Sequence, residues 1–268
     1  MDLELYFKII TYALAIILGL CVGSFLNVVI YRLPNKMSLA TPSSHCPKCN
    51  YKLKWYDNIP VISYLVLGGK CRSCRERISF RYTAVELLNA LSYGFLVFLF
   101  FETSIFLTVI YMLASSIFIC VFFIDLEHKI IFDRFQIMLL VLGVASIFFD
   151  PYIKWYSHLL GGGIGFAVFF LVSFVFEKAC GREGLGGGDV KLVGAVGLLL
   201  GWERLLLSLL VSTLLATVIM LSVTLKRKGE ATEEDKQFPF APFLVFGFSV
   251  AIFFGTPIIN WYLALLGF

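Results

Sequence analysis

Residues 103–125 read TSIFLTVIYMLASSIFICVFFID, twenty-two uncharged residues closed by a single aspartate. A helix rises about 1.5 Å per residue, so this run crosses a hydrocarbon layer of ~30 Å with little to spare. Residues 9–31, 155–176 and 205–225 are equally free of Asp, Glu, Lys and Arg. Shorter apolar runs at 87–101 and 135–149 reach spanning length with their polar flanks. The uncharged stretch 237–268 carries Pro239, Pro242 and Pro257 and is expected to bend. The composition agrees: 59% of the 268 residues are hydrophobic and the mean hydropathy is +0.89, far above a soluble domain. The first run is too long for the core of a signal peptide and lacks a basic leader, so it reads as a helix of the mature protein. The sequence therefore predicts an all-α polytopic membrane protein with about eight transmembrane helices.

Orientation follows from the positive charges. Ten bases, from Arg32 to Arg81, lie in the segment between the first two spans. If that segment is cytoplasmic and the spans alternate, the later cytoplasmic loops hold Lys129 and Arg134, then Lys178, Arg182 and Lys191, then Lys226, Arg227, Lys228 and Lys236. Of the 22 basic residues only Lys8, Lys154 and Arg204 remain on the other side. Both termini are then outside. The formal net charge of +4 is a product of this topology and implies no nucleic-acid partner. The segment 192–202 is short for a span, and is read as a brief crossing whose glycine-rich entry lines a watery cavity. No internal repeat stands out. The expected organisation is a first helix at 1–33, a cytoplasmic loop domain at 34–82 and a transmembrane core at 83–268.

The loop holds CPKC at 46–49 and CRSC at 71–74, separated by 21 residues. Cys46, Cys49, Cys71 and Cys74 offer one Zn²⁺ the four soft ligands of a structural site. The loop has little core of its own, so a metal would supply folding free energy. Two redox C-x-x-C motifs are the competing reading, one that a reducing cytoplasm disfavours. His45 is read as a bystander, and Cys21, Cys120 and Cys180 as packing residues.

Two acids stand where apolar spans end. Asp125 closes the third span, and Asp189 ends EGLGGGD and opens DVKLVGAVG. In the topology above both meet the cytoplasmic membrane boundary, where ionisable groups are costly. Gly186, Gly187 and Gly188 bare their backbone to a neighbouring helix or an extended ligand. Two close carboxyls would share one proton, so that the ionised member takes a proton from water while its partner donates to a carbonyl. Plainer readings pair Asp125 with Lys129 and make Asp189 a helix N-cap. Asp133 competes with Asp125 for the catalytic place.

Together with GSFLNVVIYRLP (23–34), NIPVISYLVLGGKCRSC (58–74), RYTAVELL (81–88), IDLEHKIIFD (124–133) and GLGGGDVKL (184–192), these motifs resemble the bifunctional type IV prepilin peptidases. Those are intramembrane aspartyl enzymes of the Gly-x-Gly-Asp class, and the resemblance covers about two thirds of the chain in order. It implies Asp125 and Asp189 as catalytic pair, with Gly186, Gly188 and Lys191 in the supporting loop. It also implies a bacterial inner-membrane enzyme that removes basic leaders from prepilin or pseudopilin precursors at the cytoplasmic face, after a glycine and usually before a phenylalanine. The new amino terminus is then methylated from S-adenosylmethionine, with Gly23, Asn27, Arg32 and Glu86 matching the amino-terminal motifs. One departure is Phe132, where the family has proline. Outside the family, a thiol–disulfide oxidoreductase would use the cysteines. A proton-relaying transporter would use the aspartates, but the spans offer it no central charged partner; His158 reads as interfacial.

Overall fold

The computed structural model describes residues 3–181, 186–226 and 239–267. The loop bases Arg182, Arg227, Lys228 and Lys236, and the first residues of the second glycine motif, lie outside them. The chain divides into two compact units, Met1–Glu102 and Thr103–Phe268.

In the first unit, α1 (Leu3–Arg32) and α3 (Arg81–Phe100) pack together. Glycine makes this possible. A Cβ on Gly19 would sit 2.6 Å from the Ala90 Cα, and one on Gly23 would sit 2.7 Å from the Glu86 Cα. Such small-residue crossings let helices approach where lipid gives no hydrophobic drive to associate. Polar side chains stitch the seam. Asn89 Nδ2 donates to the Gly19 carbonyl at 2.8 Å, and Asn27 Nδ2 to that of Tyr82 at 2.9 Å. The intervening loop contains a 3₁₀ turn (Trp55–Asn58) and a short helix, α2 (Ile62–Val66). It also contains two knuckles built alike. Cys46 N–H bonds Tyr51 O, and Asn50 N–H bonds Cys46 O; Cys71 N–H bonds Glu76 O, and Arg75 N–H bonds Cys71 O. Asn50 and Arg75 both have positive φ, 56° and 59°, which turns each knuckle back on itself.

The second unit contains α4 (Ile105–His128), α5 (Asp133–Phe149), α6 (Trp155–Cys180), α7 (Gly187–Lys226) and α8 (Ala241–Leu265). Helix α4 starts on Ser104, whose hydroxyl accepts the Leu107 N–H, and stops where Lys129 turns left-handed at φ 55°. The stretch α7 holds 40 residues, enough for two crossings of a ~30 Å hydrocarbon layer. It is not continuous: Gly201 (φ 76°, ψ 164°) breaks it into 187–200 and 202–226. Gly161 of α6 and Gly197 of α7 lie so close that a side chain on either would meet the other's carbonyl oxygen.

Among the described residues, six helices are long and apolar enough to cross a membrane, against the eight spans the sequence suggests. The difference lies in α5, which has 17 residues, and in α7, which holds two arms on either side of Gly201. Large apolar side chains stand exposed along these helices, as in Leu14, Ile17, Phe170 and Val218, the reverse of a soluble surface and suited to lipid contact.

Polar groups gather at the α7 break. His158, expected at an interface, is instead fully buried, its Nδ1 3.0 Å from the Leu198 carbonyl. Ser146 Oγ lies 3.3 Å from the Leu199 carbonyl, its shorter contact being the Gly143 carbonyl at 2.7 Å. These polar side chains face the carbonyls that end the first arm of α7. Nearby, Arg204 donates to the Tyr111 hydroxyl (2.9 Å) and to Thr256 Oγ1 (2.8 Å), and lies 3.7 Å from the Asp150 carboxylate.

Candidate active site

Helix ends place the two aspartates. Asp125 is in the last turn of α4, and its carbonyl accepts the Lys129 N–H that closes the helix. Only 6% of the residue is exposed. Its carboxyl accepts the backbone N–H of Ala241, the first residue of α8. Asp189 is the third residue of α7, inside the first turn and not its cap, and its N–H bonds the Gly186 carbonyl at 2.9 Å. The charge of Asp125 acts on the Asp189 carboxyl, so the two acids are electrostatic neighbours. Lys129 also acts on Asp125, less than burial and the Ala241 bond do.

The glycine loop meets the α4–α5 corner. A Cβ on Gly188 would stand 3.2 Å from the Ile131 Cβ, and the Gly188 carbonyl accepts Gln136 Nε2 at 3.0 Å. Lys191 Nζ lies 2.8 Å from Asp133 Oδ1, both side chains mostly exposed. Asp133 is thereby engaged by the supporting lysine. Asp125 Oδ2, Asp189 Oδ1 and Gln136 Oε1 are buried with no hydrogen-bond partner among the described residues. Ala241 and Gln136 were not singled out from sequence. The Pro242 beside Ala241 marks a helix start, but nothing local in the chain says which acid that start faces.

The four cysteine sulfurs of the first unit lie within 4.8 Å of one another. The contacts between Cys46 and Cys74 and between Cys49 and Cys71 are both 3.9 Å. A tetrahedron of sulfurs each ~2.3 Å from zinc has edges near 3.8 Å, so these residues fit the ion. The close pairs run between the two motifs, whereas a redox C-x-x-C would bring its own two sulfurs together. Backbone N–H groups of Cys74 and Ser73 draw the Cys71 thiol down to about 7. At Cys74 the Glu76 N–H pulls the same way, yet burial and the neighbouring thiols push it up to about 12. Such a cluster needs a cation to ionise completely. Outside the sulfurs, Arg72 binds Asp57 (2.7 Å) and stacks on Tyr56.

Beside this cluster is a cavity of about 630 Å³ lined by Asn27, Tyr31, Arg32, Tyr64, Tyr82 and Glu86, among others. Arg32 spends its guanidinium on the carbonyls of Ser38, Leu39 and Pro42, anchoring the start of the loop. Glu86 Oε2 accepts the Val61 N–H at 2.8 Å, and Val61 holds φ 62°, a conformation costly for a β-branched residue. Asn27 Oδ1 has no partner among the described residues. Gly23 is occupied by the helix crossing.

A family model described as the bacterial peptidase A24 N-terminal domain matches residues 17–100, and one described as the type IV leader peptidase family matches residues 112–221. Proteins named prepilin leader peptidase/N-methyltransferase are similar along nearly the whole chain. That of Pseudomonas aeruginosa is 34% identical over 94% of this chain and 93% of its own. That of Aeromonas salmonicida is 32% identical over 94% of each. That of Myxococcus xanthus is 36% identical over 87% of this chain and 70% of its own. No solved structure matches.

Proposed function

The chain belongs to the type IV leader peptidase family and is an enzyme with peptidase and N-methyltransferase activity, and from that premise we propose how its residues divide the work. Asp125 and Asp189 cut the leader from prepilin or pseudopilin precursors. One carboxylate accepts a proton from water, whose oxygen attacks the scissile carbonyl carbon. The other carboxyl donates its proton to the carbonyl oxygen. The tetrahedral intermediate then collapses: the carboxyl that accepted the water proton passes it to the departing nitrogen, the C–N bond breaks, and a hydroxyl of the intermediate returns a proton to the other carboxylate, leaving a free acid and amine. The observation that carries this reading is two acids from distant parts of the chain, near enough for the charge of one to act on the other, with one oxygen of each buried and without a partner among the described residues. Gly186 and Gly188 carry no side chain to crowd the pair, and Lys191 with Asp133 steadies the loop.

Methyl transfer is assigned to the first-unit cavity. S-adenosylmethionine supplies an electrophilic methyl group on a sulfonium cation. The Glu86 carboxylate and the rings of Tyr31 and Tyr64 are lining groups that suit a cation, while the Tyr82 ring already carries the Arg81 guanidinium. Asn27 and Glu86 face the reaction, while Arg32 and Gly23 support the walls. The loop at 34–82 is a small domain held by structural zinc on Cys46, Cys49, Cys71 and Cys74. Eight spans result if α5 and both arms of α7 each cross, and the distribution of bases then puts the peptidase site at the cytoplasmic face of the bacterial inner membrane.

The test is co-expression with a pilin-like precursor. Asp125→Asn and Asp189→Asn should each abolish leader removal while inserting normally, because each keeps the side-chain shape and loses the proton chemistry. Normal processing by both variants would end the aspartyl mechanism.

A further inference from the structure

Of the three acceptor atoms buried without a donor around Asp189, two belong to the aspartates and are explained by their proton chemistry. The third does not. Gln136 lies near the start of α5 and is 5% exposed. Its Nε2 donates to the Gly188 carbonyl at 3.0 Å. Of the amide's two ends only the nitrogen can donate to a carbonyl, so this bond sets the amide: nitrogen toward Gly188, Oε1 at the other end of the same planar group. That oxygen stands beside the peptide that carries Asp189, and no N–H or O–H of the described residues reaches it. A buried acceptor left bare is costly, and proteins rarely keep one without use. No described residue supplies that donor, and the backbone of an entering peptide is a source of one.

Among the described residues, a Cβ on Gly187 would meet nothing within 4 Å, and one on Gly186 would meet only the Asp189 carboxyl. An extended peptide presents a backbone N–H at every second residue along one edge, each able to serve as such a donor. We propose that Gln136 is a substrate-binding residue of the peptidase site, held through Nε2 to the Gly188 carbonyl and accepting, through Oε1, a backbone N–H of the peptide next to the scissile bond. The inference deepens the aspartyl-peptidase reading and rests on it. It assigns to Gln136 a share in aligning the carbonyl with the attacking water, which a purely structural residue would not have.

Full-length enzyme in lipid nanodiscs is given synthetic precursor peptides spanning the cleavage junction, each with one backbone amide replaced by an ester. The ester lacks the N–H and otherwise keeps the shape. Wild-type enzyme should lose about tenfold in kcat/KM at one position near the junction, the worth of a hydrogen bond to a buried acceptor. Gln136→Met should lose a similar factor on the all-amide peptide and suffer no further loss from the ester at that position. A structural role would lower activity on every peptide alike and leave the ester preference intact, and that result overturns the proposal, as does wild-type behaviour of the variant. If Gln136→Met does not accumulate, Gln136→Asn gives the same comparison, because it keeps the amide and shortens its reach. Asp189→Asn run in parallel separates the two failures. Activity in that variant would remove the aspartyl reading itself, whereas its loss alongside an unchanged ester preference in the Gln136 variant removes only the Gln136 assignment.

Discussion

Arg204 and Asp150 are 3% and 8% exposed in a bundle otherwise packed with apolar side chains. Neither charge would survive there alone. Asp150 also takes the Tyr111 hydroxyl at 3.1 Å and the Tyr152 N–H at 2.8 Å, while Arg204 reaches Tyr111 and Thr256, so the ions are hydrogen-bonded on several sides. Removing one partner leaves the other desolvated and uncompensated, a loss of about 3–5 kcal/mol. Arg204→Met should therefore lower the thermal unfolding midpoint in detergent sharply. Adding Asp150→Asn should restore much of it, since the stranded charge is gone. A single variant as stable as the parent would mean the pair contributes nothing. None of this was readable from the chain, where Arg204 counts only as a base outside the cytoplasmic set. A charge beside an apolar run looks the same whether it faces lipid headgroups or a carboxylate 54 residues earlier in sequence.

Among elements, α7 turns on one residue. Gly201 at φ 76° and ψ 164° occupies a region essentially reserved for glycine, where any other residue costs about 1–3 kcal/mol. Its missing Cβ would also stand 2.8 Å from Ser157 Oγ and 3.0 Å from Ile153 Cγ2. Gly201→Ala is expected to destabilise the second unit, read as a lower melting temperature and faster proteolysis. Gly163→Ala is the control: it lies in α6, its Cβ would meet nothing within 4 Å, and alanine there should be neutral or stabilising. Equal behaviour of the two variants would remove the break's special role. The sequence did signal a short segment at 192–202, because Lys191 and Glu203 bracket it, and that expectation came from charge alone. The break itself, and the burial of His158 that caps it, were not legible, since local hydropathy carries no information about which carbonyls a distant side chain will meet. By contrast Asp125 and Asp189 were prominent in the chain. An acid that ends a long apolar run must have a reason to be there, and the family resemblance supplied the pairing that spacing could not.

For the whole molecule, topology decides what the site can reach. Nearly all bases were assigned to one side on the premise of eight crossings, and that premise requires the two arms of α7 to run in opposite directions through the bilayer with Gly201 at the far face. Trp202 and Glu203 are exposed just after the break, and Lys191 is exposed just before the first arm ends its opening turns. In a variant with Cys21, Cys120 and Cys180 replaced by serine, Glu203→Cys should react with a membrane-impermeant maleimide added to intact cells. Lys191→Cys should react only after the inner membrane is opened. The cysteines of the loop at 34–82 share the Lys191 side in this arrangement, so they stay shielded in intact cells and do not confuse the first measurement. Labelling of both positions under the same condition would make 187–200 a re-entrant segment. The bases at 226–228 would then lie outside, against the charge rule, and a precursor with a cytoplasmic leader would need another route to the aspartates.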